Sequence, residues 1–320
     1  MIKRKLGIVM LMLCICFRLM PLGAQATTIA DAVEAIIPEK ECSLTVSYCC
    51  AETAFSGAQV ELYRVAEVSA GFHYMLTQPF VESRLILNGI KNNSEWNVIR
   101  SSLESYILAA GIAPDAVSET DENGRVHFDA LKTGMYLAVI GQATQGDVEC
   151  VFDAALVALP GLGQDGRWQY AVSVNAKGEI LPPADADEET EFKVLKLWKG
   201  DEGRSDRPEY VTVEIFRDGI RYQTVTLSEA NHWSYTWSAK DDGAKWSVAE
   251  RNVPDGYTVT VDVREASFVL TNTWIPDHPD EPGDYPQTGD TSNIMFYVLV
   301  MTVSGAMLVV LGITRKRVNT

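Results

Sequence analysis

Histidine is scarce. Four stand in 320 residues, at positions 73, 127, 232 and 278, and none is paired with another. That leaves little for a histidine-rich metal centre, and no local Ser/His/Asp or Cys/His signature supports nucleophilic catalysis. Basic residues are also few: 27 Lys and Arg against 43 Asp and Glu, a formal net charge of −16. This argues against a nucleic-acid partner, because phosphate backbones select basic surfaces. Charged residues make up only 22% of the chain and apolar ones 47%, which argues against wholesale disorder. No cofactor and no metal is expected. Asp121-x-Asn123-Gly124 has the start of a calcium loop but lacks the later ligands, and a turn explains it better.

What is present begins at the two ends. The N-terminus runs from basic MIKRK through the apolar stretch LGIVMLMLCICF to the small-x-small site Ala24-Gln25-Ala26. The apolar stretch falls short of the roughly 20 residues a bilayer-spanning helix needs, so residues 1–26 are expected to be a cleaved secretory signal. The C-terminus carries Tyr285-Pro286-Gln287-Thr288-Gly289, then an almost wholly apolar run at 293–313, then Arg315, Lys316 and Arg317. That run is long enough for one membrane span, and the basic tail fixes its cytoplasmic end. Pentapeptide, span and tail together resemble the cell-wall sorting signal of Gram-positive surface proteins, with Tyr285 where Leu is usual. The resemblance implies a sortase as partner over 285–320. Tyr285, Pro286 and Gln287 would be recognised, the sortase thiolate would attack the Thr288 carbonyl, and Gly289 would leave. The precursor would be membrane-bound only until that transfer, and the product would be tethered to peptidoglycan or to other subunits.

Between the ends, two Pro- and acid-rich linkers are expected at 178–191 and 275–284, separating folded blocks at 41–177 and 192–274. The second block shows seven short alternating segments in about eighty residues. Turn signals stand at Asp218-Gly219, Asp242-Gly243 and Pro254-Asp255-Gly256, which indicates a β-sandwich. Lys196-x-Trp198, Arg207-Pro208, Val211-x-Val213, Asn231-x-Trp233, Val253-Pro254-x-Gly256-Tyr257 and Leu270-Thr271-Asn272-Thr273 run through it. These residues resemble the B-type repeat domain of collagen-adhesin and pilin proteins. The resemblance implies an intramolecular isopeptide bond from Lys196 on the first strand to Asn272 on the last, assisted by Glu250; an unbonded buried ion pair is the alternative. Lys193 and Lys199 are rival lysines that do not fit the motif position. Five of the seven tryptophans fall in this block, as core packing or as a sugar-stacking platform.

The first block is expected to hold strands around 43–48, 57–66, 125–137, 155–159 and 168–174. Trp96, Ile99, Leu103, Tyr106 and Ile107 recur at helical spacing, and Gly111 follows as a stop. The string from Thr120 to Leu137 resembles the prealbumin-like domains of pilin and adhesin subunits, and the helix resembles an insertion in their N-terminal pilin domain. The lysine and acid that such domains use for a crosslink are absent, so none is expected here. Cys42, Cys49, Cys50 and Cys150 remain after export, allowing three pairings. Cys150 with Cys49 or Cys50 would tie an early strand to a late one; free buried thiols are the alternative. Lys177 stands where pilin shaft subunits carry their polymerising lysine, but without the neighbouring Pro and Asn.

The expected fold class is therefore all-β: two β-sandwich domains of Ig-like or prealbumin-like type, the first with an inserted helix, and a C-terminal transmembrane helix in the precursor. The resemblances imply a structural surface protein of a Gram-positive wall rather than an enzyme. It would be a pilin subunit or adhesin stalk, or alternatively a monomeric adhesin binding host extracellular-matrix protein or glycan; a wall-bound enzyme, its site in the first block, is the remaining alternative.

Overall fold

The computed structural model of the chain describes residues 35–181 and 189–275, apart from 203, 205, 206 and 241. The expected signal at 1–26 and the whole of 285–320, with its cleavage motif and membrane span, lie outside the described residues, as does most of the 275–284 linker.

The first block is built from β1 (Cys42–Ser47), β2 (Gln59–Val68), α1 (Asn93–Ala110), β3 (Ala116–Glu119), β4 (Arg125–Leu131), β5 (Gly134–Ile140), β6 (Val148–Phe152), β7 (Ala155–Leu159), β8 (Ala171–Asn175) and β9 (Gly178–Ile180). Leu44 and Val46 are fully buried on alternate positions of β1, as a one-sided strand requires. This strand lies between β8, which runs parallel to it, and β4, which runs antiparallel. A second sheet has the order β7-β5-β2, with β3 also pairing β2. Its central strand β5 is buried on both faces, because one face meets the β1 sheet and the other meets α1. The hydrophobic side of α1 (Ile99, Leu103, Ile107) packs with Tyr63, Val65 and Leu137. Asn92 caps the helix start by accepting the Glu95 N–H, and Gly111 ends it in the left-handed region at φ 63°.

Gly178–Ile180 pairs with β6, so the expected linker at 178–191 begins as a strand of the first block. It also ends as a strand, for the second block starts at Glu189. That block comprises β10 (Glu189–Lys199), β11 (Tyr210–Arg217), β12 (Ile220–Ser228), β13 (Ser234–Lys240), β14 (Trp246–Arg251), β15 (Tyr257–Arg264) and β16 (Ser267–Trp274). Two sheets, β13-β10-β16-β15 and β12-β11-β14, face each other across a core that includes Val194, Val213, Ile215, Val248 and Leu270. The β11–β12 hairpin turns at Asp218 and Gly219, both with positive φ (51° and 74°), the conformation that suits the right-handed twist of paired strands. First and last strands, β10 and β16, are parallel neighbours.

The two blocks touch. α1 packs against β14 and β15 of the second block, and the two blocks form one compact unit up to Ile275.

Candidate functional site

Strand register places the candidate residues. On β10, Val194 and Lys196 point into the sandwich and are buried, while Lys193 and Lys199 are exposed. Lys196 is opposite Leu270 on β16, and Asn272 lies two residues further along the same inward face. Asn272 is wholly buried. Glu250 reaches the same spot from β14, across the gap between the sheets.

The three side chains meet there. Lys196 Nζ lies 3.3 Å from Glu250 Oε2, and neither side chain has any exposed surface. Asn272 Nδ2 donates to Glu250 Oε1 at 2.8 Å. One carboxyl group thus touches the lysine with one oxygen and the asparagine amide with the other. Nζ also donates to the Leu197 carbonyl at 3.2 Å and lies 4.4 Å above the Trp198 ring. Asn272 Oδ1 is buried and accepts no hydrogen bond among the described residues.

Burial sets the electrostatics. Desolvation lowers the Lys196 pKa from 10.5 to about 8, against the pull of Glu250 in the other direction. Desolvation raises the Glu250 pKa above its usual 4.5, although Lys196 and Asn272 oppose it. Both shifts favour the neutral forms, amine and carboxylic acid, which is what a dry site does to an isolated charge pair.

A supporting layer lies beside the lysine. Asp201 is buried and receives two hydrogen bonds from Arg207, each 2.7 Å, and one from the Tyr257 hydroxyl at 3.0 Å. The Arg207 hydrogen bonds hold its carboxyl below the ordinary range. Arg207 stacks over Trp198, whose ring edge meets Trp233 and Tyr257, so the wall of the lysine pocket is fixed from behind. Sequence reasoning picks out Arg207 but misses Asp201. An aspartate in a Gly-Asp-Glu-Gly turn reads as solvated, and only its spacing of six from Arg207 offers a signal.

The remaining candidates fall elsewhere. All four described cysteines are free thiols, so none of the three pairings is made. Cys50 and Cys150 are in side-chain contact in the first-block core, and burial pushes the Cys150 thiol up to about 12. Cys49 points outward beside the Asn123 carbonyl, whereas Cys42 is buried in the core beside that of Lys40. In the core of this block, Phe152 meets Tyr48 and Phe55 edge to face. Lys177 is exposed between β8 and β9, its carbonyl accepting the Asp153 N–H. The tryptophans pack on one another and on other rings: Trp237 stacks on Phe192 and Phe268, and Trp246 tilts against both Trp237 and Phe192. Tyr285, Pro286, Gln287, Thr288 and Gly289 are outside the described residues.

Residues 192–273, the sandwich that holds this site, match the family described as the Cna protein B-type domain. From its first strand to its last, this sandwich is similar to a B-type domain. Over 132 residues, 39% of the chain, the sequence is 33% identical to a collagen adhesin of Staphylococcus aureus. The match spans 11% of that adhesin's length. Among solved structures, a single B repeat unit of the S. aureus collagen-binding surface protein is 16% identical, covering 74% of this chain and 99% of that one, with a TM-score of 0.26. The full-length major pilin SpaD from Corynebacterium diphtheriae is also 16% identical, covering 74% of this chain and 65% of that one, with a TM-score of 0.29. The B-type domain here thus carries Lys196 and Asn272 on its outermost strands in sequence and Glu250 between them.

Proposed function

We propose that the chain is a structural subunit of a Gram-positive cell surface, a pilus shaft or adhesin stalk, whose B-type domain crosslinks itself through Lys196 and Asn272. The observation that carries this reading is the Glu250 carboxyl, in contact with the lysine nitrogen at 3.3 Å and the amide nitrogen at 2.8 Å within a dry core.

The chemistry balances without any co-reactant. An ammonium has no lone pair to attack with, so the proton must first pass from Nζ to Glu250, a transfer that desolvation of both groups favours. A half-turn of the Asn272 amide then presents its free carbonyl oxygen to the protonated carboxyl, which polarises it. Neutral Nζ attacks Cγ, protonated Glu250 gives its proton to Nδ2, and the carboxylate so formed takes up the proton that Nζ sheds. The C–N bond of the amide breaks, ammonia leaves, and a Lys–Asn amide remains. Escape of ammonia makes the step irreversible.

Export and anchoring complete the reading. The signal at 1–26, sortase transfer at Thr288-Gly289 and attachment to peptidoglycan or to another subunit rest on the sequence pattern alone. Exposed Lys177 is the candidate amine for polymerisation. Wall extracts that show high-molecular-weight ladders, lost in a Lys177→Ala strain, would mark a pilin; a single wall-linked band in both strains would mark a monomeric adhesin. The B-type fold also serves host-matrix adhesins, so a matrix protein is the alternative partner.

Intact mass spectrometry of the purified chain tests the crosslink. The expected result is the loss of one ammonia, abolished in Asn272→Ala and in Glu250→Ala. An unmodified mass in the parent chain overturns the reading.

A further inference from the structure

The B-type sandwich is open along one side, where β14 ends one sheet and β15 ends the other. Helix α1 of the first block lies over this opening and packs on both strands. The helix face turned to them is made of small residues. Ser101, Ser102 and Ser105 are buried although none is apolar. Val261 on β15 donates its backbone N–H to Ser102 Oγ at 2.8 Å, so the edge strand finds its missing hydrogen-bond partner in the helix. Ser102 donates its own hydroxyl proton to the Val98 carbonyl at 2.6 Å.

The rim of the contact is polar. Lys245 Nζ meets Glu104 Oε1 at 2.6 Å, Arg251 donates to the Ala109 carbonyl at 3.2 Å, and Thr258 donates to the Ser83 carbonyl at 3.0 Å. Inside the rim a cavity of about 50 Å³ remains between helix and sandwich, lined by Ser102, Ser105 and Tyr106 on one side and by Glu250, Val259 and Val261 on the other. Glu250 therefore faces the lysine on its inner side and the helix on its outer side.

We propose that α1 is the lid of the crosslinking site: its docking keeps Glu250 out of water, so that the B-type domain bonds Lys196 to Asn272 only when the first domain is folded and seated against it. This rests on the self-crosslinking reading above and adds a requirement to it. With the helix displaced, water reaches Glu250 through the gap between β14 and β15. The carboxylate is then stabilised, keeps no proton to polarise the amide, and holds Lys196 as an ammonium. Each unit by which the Glu250 pKa falls back removes about tenfold of the reactive protonation state. Covalent locking would thus report completed folding of both domains and fix the B-type domain in the docked form.

The test follows ammonia loss by intact mass in newly synthesised full chains. Ser102→Glu forces a charge into the buried face, and Ala109→Glu does so at the cavity edge should the first variant fail to fold. Ser102→Ala keeps the face small and neutral. Circular dichroism checks that the strands persist, and faster hydrogen exchange at the Val261 amide checks that the helix has lifted. The expected result is crosslinking at least about tenfold slower in the two glutamate variants and near the parental rate in Ser102→Ala. Parental rates in both glutamate variants overturn the lid. A parent chain that never sheds ammonia overturns the self-crosslinking reading itself, and the lid with it.

Discussion

Lys196 and Glu250 each sit where a charge is expensive, and the pair manages this by sharing one proton. Of the states the pair can hold, the one-proton state contains the reactive combination of neutral amine and protonated acid. Adding a proton makes Lys196 an ammonium beside a neutral acid; removing the last leaves a carboxylate that cannot polarise the amide. The crosslinking rate should therefore be bell-shaped in pH. Its alkaline limb should lie near the lowered Lys196 value of about 8, and its acid limb above the ordinary carboxylate value of 4.5. Pulse-synthesised chain, shifted to a series of pH values and quenched for mass spectrometry, gives this profile directly; a rate that keeps climbing to pH 10 would contradict it.

Two substitutions at the same site should part company. Lys196→Met and Glu250→Ala should both abolish the proposed crosslink, but Glu250→Ala strands a buried lysine without its acid. It should unfold in urea at a stability lower than Lys196→Met by about 3 kcal/mol. Asp201→Ala, which removes the acceptor of two hydrogen bonds from Arg207 and one from Tyr257, should cost about 1–3 kcal/mol in the same assay. Asp201's carboxyl is held below its ordinary 3.8, so the stability it supplies is complete above that value and is lost as pH falls through the lowered one.

Among elements, the turn before β15 makes a strict demand on its glycine. Gly256 has φ +79°, and a Cβ there would lie 2.2 Å from the Trp274 ring. That ring is packed edge-on against Tyr257, so it cannot swing away freely. Gly256→Ala should destabilise the B-type domain by about 1–3 kcal/mol, from left-handed backbone strain and overpacking together, read as a lowered urea midpoint with an unchanged slope. Helix α1 makes a different demand. It serves two surfaces at once, its Ile99–Leu103–Ile107 side facing its own sheet and its serine side facing the neighbour. One helix thus belongs to the core of the first block and to the edge of the second.

For the whole molecule, parallel pairing of β10 and β16 decides how force travels. The chain enters the B-type domain at the start of β10 and leaves at the end of β16, so tension shears these neighbours along their length. A bond from Lys196 to Asn272 closes a loop of about 76 residues and would be worth about 4 kcal/mol by loop-entropy reasoning. Its mechanical effect is larger, because the load would pass from strand to strand without entering the core. Under single-molecule stretching, Asn272→Ala should add roughly 250 Å of extension when the B-type domain yields, and the parent should not. Equal extension in both would remove the mechanical role.

Much of this architecture is legible in the residues themselves. Period-two alternation marks which face of β1, β10 or β11 is buried, and a strand has only two faces to choose between. The spacing of Ile99, Leu103 and Ile107 with Gly111 after them marks α1 and its C-terminal end, because periodicity and a helix stop are local properties. Lys196, Glu250 and Asn272 can be named from a resemblance, but their meeting cannot be deduced from spacing, since it depends on strand register and on two sheets facing each other. The docking of α1 has no sequence signature at all. Serine carries no hydrophobic period, so a helix face of Ser101, Ser102 and Ser105 reads as solvated until a second domain is found against it. The sequence determined which faces seek burial. Only the tertiary structure decided what buries them, because burial is a relation between elements far apart in the chain.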